Sequence, residues 1–419
     1  MQSTPKSFRL HIGLFGRRNA GKSSLLNAMT RQNVAIVSEV AGTTTDPVEK
    51  PMELLPLGPV LFIDTAGIDD PGALGVHRVE KTRAIFDRTD VAVLVAESGR
   101  WGSFEETILD EFARRGVPQI VVWNKCDLAE PDGALVAKLD WRKIPWVRAV
   151  APRGEGMIEL REALIKIVPD EYLNAPPMVS DLVAPGELAV LVVPIDHEAP
   201  KGRLILPQVQ ALRDLLDGGA MAMVVREKEL GEALGRLARP PALVVTDSQA
   251  FAQVAAETPP EIPLTSFSIL LARQKGDFRQ LVEGTLAIER LRPGDRVLVA
   301  EACTHHPVAD DIGREKIPRW LRQYVGGELS FTTIGGAMFP NDLADYRLVV
   351  HCGACMFNRR QMLSRLVRCR EAGVPITNYG MTIAYTLGLF DRALAPFAEA
   401  DQPATPPERP GPIRAKPLT

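Results

Sequence analysis

The stretch Gly16–Ser24, GRRNAGKSS, decides how the first third of the chain folds. It fits G-x-x-x-x-G-K-S/T with Gly16, Gly21, Lys22 and Ser23, and it lies between an apolar run, Leu10–Phe15, and apolar residues at helical spacing, Leu25, Leu26 and Met29. A strand, a tight glycine turn and a helix N-terminus aim backbone N–H groups and the positive end of a helix dipole at phosphate oxygens. Lys22 adds a point charge and Ser23 a hydroxyl for Mg²⁺, while Asn19, Ala20 and Ser24 complete the cradle. A nucleoside triphosphate is the ligand such a loop implies.

Working outward, VSEVAGTTTDP is polar and glycine-punctuated, a loop that can offer Mg²⁺ a threonine hydroxyl from Thr43, Thr44 or Thr45. VLFIDTAG reads as a buried strand, Val60–Ile63, ending in Asp64, which would hold the metal through water or Ser23; Gly67 is free to bring its N–H to the γ-phosphate. TDVAVLVAES is another strand, and PQIVVWNKCDL a third that ends in Asn124-Lys125-Cys126-Asp127. A carboxylate there accepts from both N1–H and the exocyclic amine of guanine, a pair adenine lacks. Asp127 therefore selects GTP, with Asn124 and Lys125 bracing the loop and covering the base. WVRAVAPRGEGMIEL supplies a strand, a loop that puts the Ala151 backbone against the base, and a helix from near Met157. No residue after DTAG, among Asp69, Asp70, His77 and Glu80, is assignable as a catalytic base.

The remaining 250 or so residues need cores of their own, since 419 residues exceed what one core serves, and 46% of them are hydrophobic. A net charge of −3 with scattered basic residues gives no electrostatic case for nucleic acid or an anionic membrane. No window reaches the roughly 18 apolar residues of a membrane span, and no secretory leader is legible, so a cytoplasmic location is expected. Five cysteines, an odd number, argue against a disulfide framework.

After the proline-rich linker NAPPMVSDLVAPGE, strands and helices alternate: ELAVLVVPI, LPQVQALRDLLDGG, MAMVVR, KELGEALGRLA, PALVVTD and QAFAQVAAE. That is a small parallel sheet flanked by helices, expected to present an open face to a second copy of itself. Beyond the break TPPEIP, DRVLVAEACTHHP runs a strand into Cys303-Thr304-His305, and YRLVVHCGAC runs another into His351-Cys352-Gly353-Ala354-Cys355. Two strand ends would thus bring three sulfurs together. A closed Cys₃His zinc site and a three-cysteine [4Fe-4S] cluster with one open iron both fit; residue types alone favour zinc. Cys126, in the guanine motif, and Cys369, on a helix, read as ordinary residues.

The expected architecture is α/β in three domains: residues 1–172, a P-loop GTPase domain with a Ras-like mixed sheet; 173–265, a small α/β dimerisation domain; and 266–395, an α/β metal- or cluster-binding domain. Residues 396–419 form a proline-rich tail expected to be disordered.

With its motifs in this order, the first domain resembles the TrmE–Era–EngA-like branch of the translation-factor-type GTPases. The resemblance implies hydrolysis of GTP to GDP and phosphate. It places the Mg²⁺ threonine at Thr44 and makes Asn19 a candidate for binding an activating K⁺, although Asn19 also reads as an ordinary turn former. Ile68 stands where Ras-type members carry a water-orienting glutamine, which implies slow hydrolysis or another group in that role. C-x-H, forty-five residues, then H-C-x-x-C, C-terminal to such a domain, is similar to the [FeFe]-hydrogenase maturation GTPases, HydF. That resemblance implies a homodimeric scaffold with a [4Fe-4S] cluster on Cys303, Cys352 and Cys355, leaving the ligand roles of His305 and His351 open. It further implies that a transient diiron precursor is received from two radical S-adenosylmethionine maturases and passed to apo-hydrogenase. The alternative is a TrmE/Era-like GTPase of tRNA modification or ribosome assembly with a structural Cys₃His zinc site.

Overall fold

The structure is a computed structural model that describes residues 4–30, 47–65, 83–169, 172, 176–195, 204–302 and 311–397. It divides into two compact units, residues 1–175 and 176–419.

In the first unit, six strands lie in the order β2-β3-β1-β4-β5-β6: β1 Leu10–Phe15, β2 Val48–Leu54, β3 Gly58–Asp64, β4 Val91–Glu97, β5 Gln119–Asn124 and β6 Trp146–Arg148. All neighbours are parallel except β2, which runs antiparallel to β3 at the edge. The apolar runs are uninterrupted because both faces are covered. On β4, Val91, Val93 and Val95 join the core under the helices Lys22–Thr30 and Met157–Ile167, while Ala92, Leu94 and Ala96 join the core under the helix Ser103–Arg114. The sequence reading finds five of these strands and misses β2, whose VEKPMEL carries Pro51 and no apolar alternation. Proline is tolerated at a sheet edge, where one side of the strand has no ladder to lose.

The second unit holds two four-stranded parallel sheets. One has the order β10-β9-β7-β8, with β7 Leu188–Val192, β8 Met221–Val225, β9 Leu243–Thr246 and β10 Leu264–Ser266. The other has the order β12-β11-β13-β14, with β11 Arg296–Ala300, β12 Ser330–Ile334, β13 Leu348–His351 and β14 Ile376–Asn378. The boundary expected at residue 265 falls inside β10, and Ser266 both ends that strand and caps the helix Phe267–Lys275 by accepting from the Ile269 N–H. That helix buries Phe267, Ile269, Leu270, Leu271 and Ala272 in a core shared by both sheets. Apolar nearly all round, it shows no amphipathic period, and the sequence reading misses it for that reason.

Candidate nucleotide and sulfur sites

At the end of β1 the chain turns back on itself through two glycines that admit no side chain. A Cβ on Gly16, at φ +148°, would lie 2.2 Å from the Val95 carbonyl oxygen, and one on Gly21, at φ +94°, would lie 2.1 Å from Asn124 Nδ2. Between them Asn19 has φ 62°, a left-handed conformation that asparagine tolerates, which accounts for it as a turn former. The Lys22 ammonium folds back over the loop and donates to Gly16 O at 2.7 Å and Arg17 O at 2.9 Å. Ser23 Oγ donates to Asp64 Oδ2 at 2.6 Å, and Asp64 Oδ1 is buried with no hydrogen-bond partner among the described residues. Burial pushes the Asp64 carboxyl above its ordinary range, opposed by the Ser23 hydrogen bond and the charge of Lys22. A hydroxyl beside an under-satisfied buried carboxylate fits a hard divalent cation such as Mg²⁺.

The guanine motif is tied to this loop. Asn124 Nδ2 donates to Ala20 O at 2.8 Å while its Oδ1 accepts from the Ala151 N–H at 3.1 Å, so one buried amide joins the phosphate loop to the loop after β6. Lys125, at φ 60°, reaches Glu97 at 2.9 Å, and the Asp127 carboxylate faces the exposed Arg153 guanidinium at 3.5 Å. Ser24 lies one residue further into the helix that starts at Lys22. A contact absent from the sequence reading is the bidentate pair from Arg17 to the buried Glu105, at 2.7 and 2.9 Å, which fastens the phosphate loop to the first turn of the helix Ser103–Arg114. Thr43, Thr44 and Gly67 lie outside the described residues.

In the second unit, β11 and β13 are neighbours in register, Ala300 opposite His351, so the segments that follow them emerge side by side. Cys352 Sγ accepts from the Ala302 N–H at 3.1 Å and from the Ala354 N–H at 3.4 Å. Cys303 and His305 lie outside the described residues, but Ala302, which immediately precedes Cys303, already touches the Cys352 sulfur. Among the described residues no group of three or more His, Cys, Asp or Glu side chains is arranged to hold a metal. What the structure does offer is a sulfur with two N–H donors, an environment that suits a thiolate ligand.

Two side chains unmarked by the sequence reading support this turn. The buried Lys275 ammonium donates to the carbonyls of Ala354, Cys355 and Phe357 at 3.1, 3.2 and 2.7 Å. Burial brings its pKa down to about 8, opposed by the charges of Cys355 and Cys352. Burial pushes the Cys355 thiol up, with Lys275 opposing. The second support is Arg365, whose guanidinium lies over the Phe339 and Phe357 rings at 4.7 and 4.5 Å and bonds Gly336 O and Met338 O. Its Nη1 stands 2.8 Å from His351 Nε2, and His351 Nδ1 stands 2.8 Å from Cys352 O. His351 is fully buried, and desolvation followed by the Arg365 charge lowers its pKa to about 3. It is a neutral ring with both nitrogens engaged in the protein, Nε2 accepting from Arg365 and Nδ1 donating to the Cys352 carbonyl, and in this arrangement neither is turned to a metal. Cys369 is buried on the helix Arg359–Glu371 with its thiol pushed up to about 12 by burial, and Cys126 donates to Trp123 O at 3.1 Å.

A strand–phosphate-loop–helix unit with a tethered guanine motif defines a GTPase domain, and residues 11–125 match the family described as 50S ribosome-binding GTPase. Residues 178–276 match the Hydrogen maturase F dimerization domain and residues 279–396 its tetramerization domain, together more than half of the chain. The chain belongs to the hydrogenase maturase F family. It is 40% identical to a tRNA modification GTPase MnmE of Synechococcus over 164 residues, 38% of this chain and 33% of that protein. It is 38% identical to the GTPase Der of Campylobacter hominis over 133 residues, 31% of this chain and 29% of that one. The chain thus spans about a third of the length of the curated relatives it matches. A solved structure of Era in complex with MgGDPNP and a segment of 16S ribosomal RNA aligns with 52% of this chain and 91% of its own, at 20% identity and a TM-score of 0.34. The matched dimerization and tetramerization domains make this an oligomerising chain, and the second of them occupies the region read from sequence as the cluster domain. No helix among the described residues is long and apolar enough to cross a membrane.

Proposed function

We propose that the chain is a GTP-hydrolysing scaffold that carries a [4Fe-4S] cluster on Cys303, Cys352 and Cys355. On this reading it receives the diiron precursor of an [FeFe]-hydrogenase from two radical S-adenosylmethionine maturases and delivers it to the apo-enzyme. The reading is carried by one observation: the Ala302 N–H lies 3.1 Å from Cys352 Sγ, so the residue before Cys303 is already at the C-x-x-C turn. Membership of the hydrogenase maturase F family supports the role.

In the nucleotide unit, Lys22 would exchange its two loop carbonyls for phosphate oxygens, and Ser23 and Asp64 would hold Mg²⁺, whose charge would offset that of the triphosphate. Asp127 exchanges Arg153 for the guanine edge, and Asn124 keeps the two loops in register. Thr44 and a K⁺ at Asn19 complete the expected set. In the sulfur unit the chain's own part is to hold the turn open-handed, with N–H groups on Cys352 and carbonyls turned to Lys275.

Anaerobic reconstitution followed by electron paramagnetic resonance tests this. The expected result is a brown protein with a reducible paramagnetic signal that Cys303→Ala abolishes. A colourless protein holding about one zinc per chain overturns it in favour of a TrmE/Era-like GTPase with a structural zinc site.

A further inference from the structure

We infer that Lys275 is a positioning residue of the sulfur site, supplied from outside the domain that carries the cysteines: it ties down the Cys352–Phe357 turn by three carbonyls and places a cation against the backbone of Cys355. This rests on the cluster reading above and deepens it. Lys275 falls within the region matching the dimerization domain, residues 178–276, whereas the cysteines fall within 279–396. The site therefore straddles the two.

Three observations carry it. The ammonium has three N–H donors, and three backbone carbonyls of one turn, those of Ala354, Cys355 and Phe357, accept from it at 2.7 to 3.2 Å. The turn needs holding, because Ala354 sits at φ 54°, a left-handed conformation that costs a residue with a Cβ about 1 kcal/mol. Finally, Ala354 faces both ways: its N–H points at Cys352 Sγ at 3.4 Å and its carbonyl at Lys275. The two groups belong to successive peptide planes that meet at the Ala354 Cα, so a tie on the carbonyl restrains the N–H through the φ and ψ of this one residue. The same helix end is anchored independently, Arg359 Nη1 donating to Gln274 O at 2.6 Å, so the lysine is delivered on a rigid element.

A cation and N–H donors near a cluster raise its reduction potential. The test compares the full chain with Lys275→Met and Lys275→Arg. In the metal-free proteins, hydrogen exchange at the 354–357 amides is expected to quicken at least about tenfold in Lys275→Met, with the β13 amides of Val349 and Val350 unchanged and the arginine variant near wild type. After anaerobic reconstitution, redox titration is expected to give a more negative midpoint for Lys275→Met and a near-wild-type one for Lys275→Arg. Unchanged exchange in the turn, exchange accelerated equally in β13, or an unchanged midpoint overturns the inference. A wild-type chain that takes up no iron sinks the cluster reading instead, and the exchange experiment on the metal-free chain then decides the role of Lys275 alone.

Discussion

Two strand-end turns in this chain are held by a buried lysine, and the two lysines arrive by different routes. Lys22 comes from the phosphate loop itself and holds two of its carbonyls, Gly16 and Arg17. Lys275 comes from a helix some eighty residues upstream and holds three, those of Ala354, Cys355 and Phe357. On the proposed reading the local lysine leaves its carbonyls when phosphate oxygens arrive. A remote lysine is fixed by the core around its helix and serves as permanent scaffolding. On that reading one loop exchanges partners and the other keeps them.

The largest effect should come from the exchangeable side. On the proposed reading Asp127→Asn removes the carboxylate that accepts two guanine N–H groups; at about 1.5–3 kcal/mol for each hydrogen bond to a charged group, GTP affinity should fall by roughly 10²–10⁴. Titration calorimetry with GDP and GTP reads this directly. A loss of less than about fivefold would mean that the base is not held at Asp127, and the contrast between the two loops would lose its first term.

Next comes a remote bridge. Arg365→Met deletes a buried guanidinium that joins His351, Gly336 and Met338 between two phenylalanine rings. The second unit should lose about 3 kcal/mol, measured as an earlier denaturant midpoint with the GTP affinity of the first unit intact. If stability were unchanged, the Arg365 bridge would contribute nothing to the second unit.

Its counterpart in the nucleotide unit is Asn124→Ala, which strands Ala20 O and the Ala151 N–H in a buried position. A loss of about 2 kcal/mol is expected in the first unit, along with weaker GTP binding from loops no longer in register. A variant that binds GTP normally would show that the loops hold themselves.

These bridges differ in how far they were legible. Lys22, Ser23, Asp64, Asn124 and Asp127 sit in motifs whose spacing is set by the ligand, so the sequence names them before any fold is known. The apolar runs of β1, β3, β4 and β5 were equally plain, because burial on both faces leaves no polar interruption. Lys275 and Arg365 carry no local pattern. The first ends a helix whose apolar surround hides its period, and the second sits among five arginines of RRQMLSRLVRCR, four of which share no such burial. The short strands β10, β12 and β14 were missed for a related reason: three to five residues give too few alternations to read. His351 was legible as part of H-C-x-x-C, but its contacts to Arg365 and to the Cys352 carbonyl were not.

The smallest effect tests whether the phosphate loop is strained while it waits for its cation. Burial raises the Asp64 pKa above the ordinary 3.8, so between that value and the raised one the native state keeps a proton that the unfolded chain has released. The native state binds more protons in that window, and stability must fall as pH rises through it. Above the raised pKa the cost is fully present. Asp64→Asn keeps an acceptor for Ser23 and carries no charge to desolvate, so the nucleotide-free first unit should gain up to about 1 kcal/mol above the raised pKa and lose the downward slope that begins above 3.8. Mg²⁺ with GDP should reverse the order, stabilising the wild type and not the variant. Thermal melts at several pH values, with and without Mg²⁺ and nucleotide, read all three. A variant that is destabilised without ligand at every pH would mean that the Ser23–Asp64 pair is a structural bond like those at Lys275, and that the loop built for exchange is as permanently tied as the other.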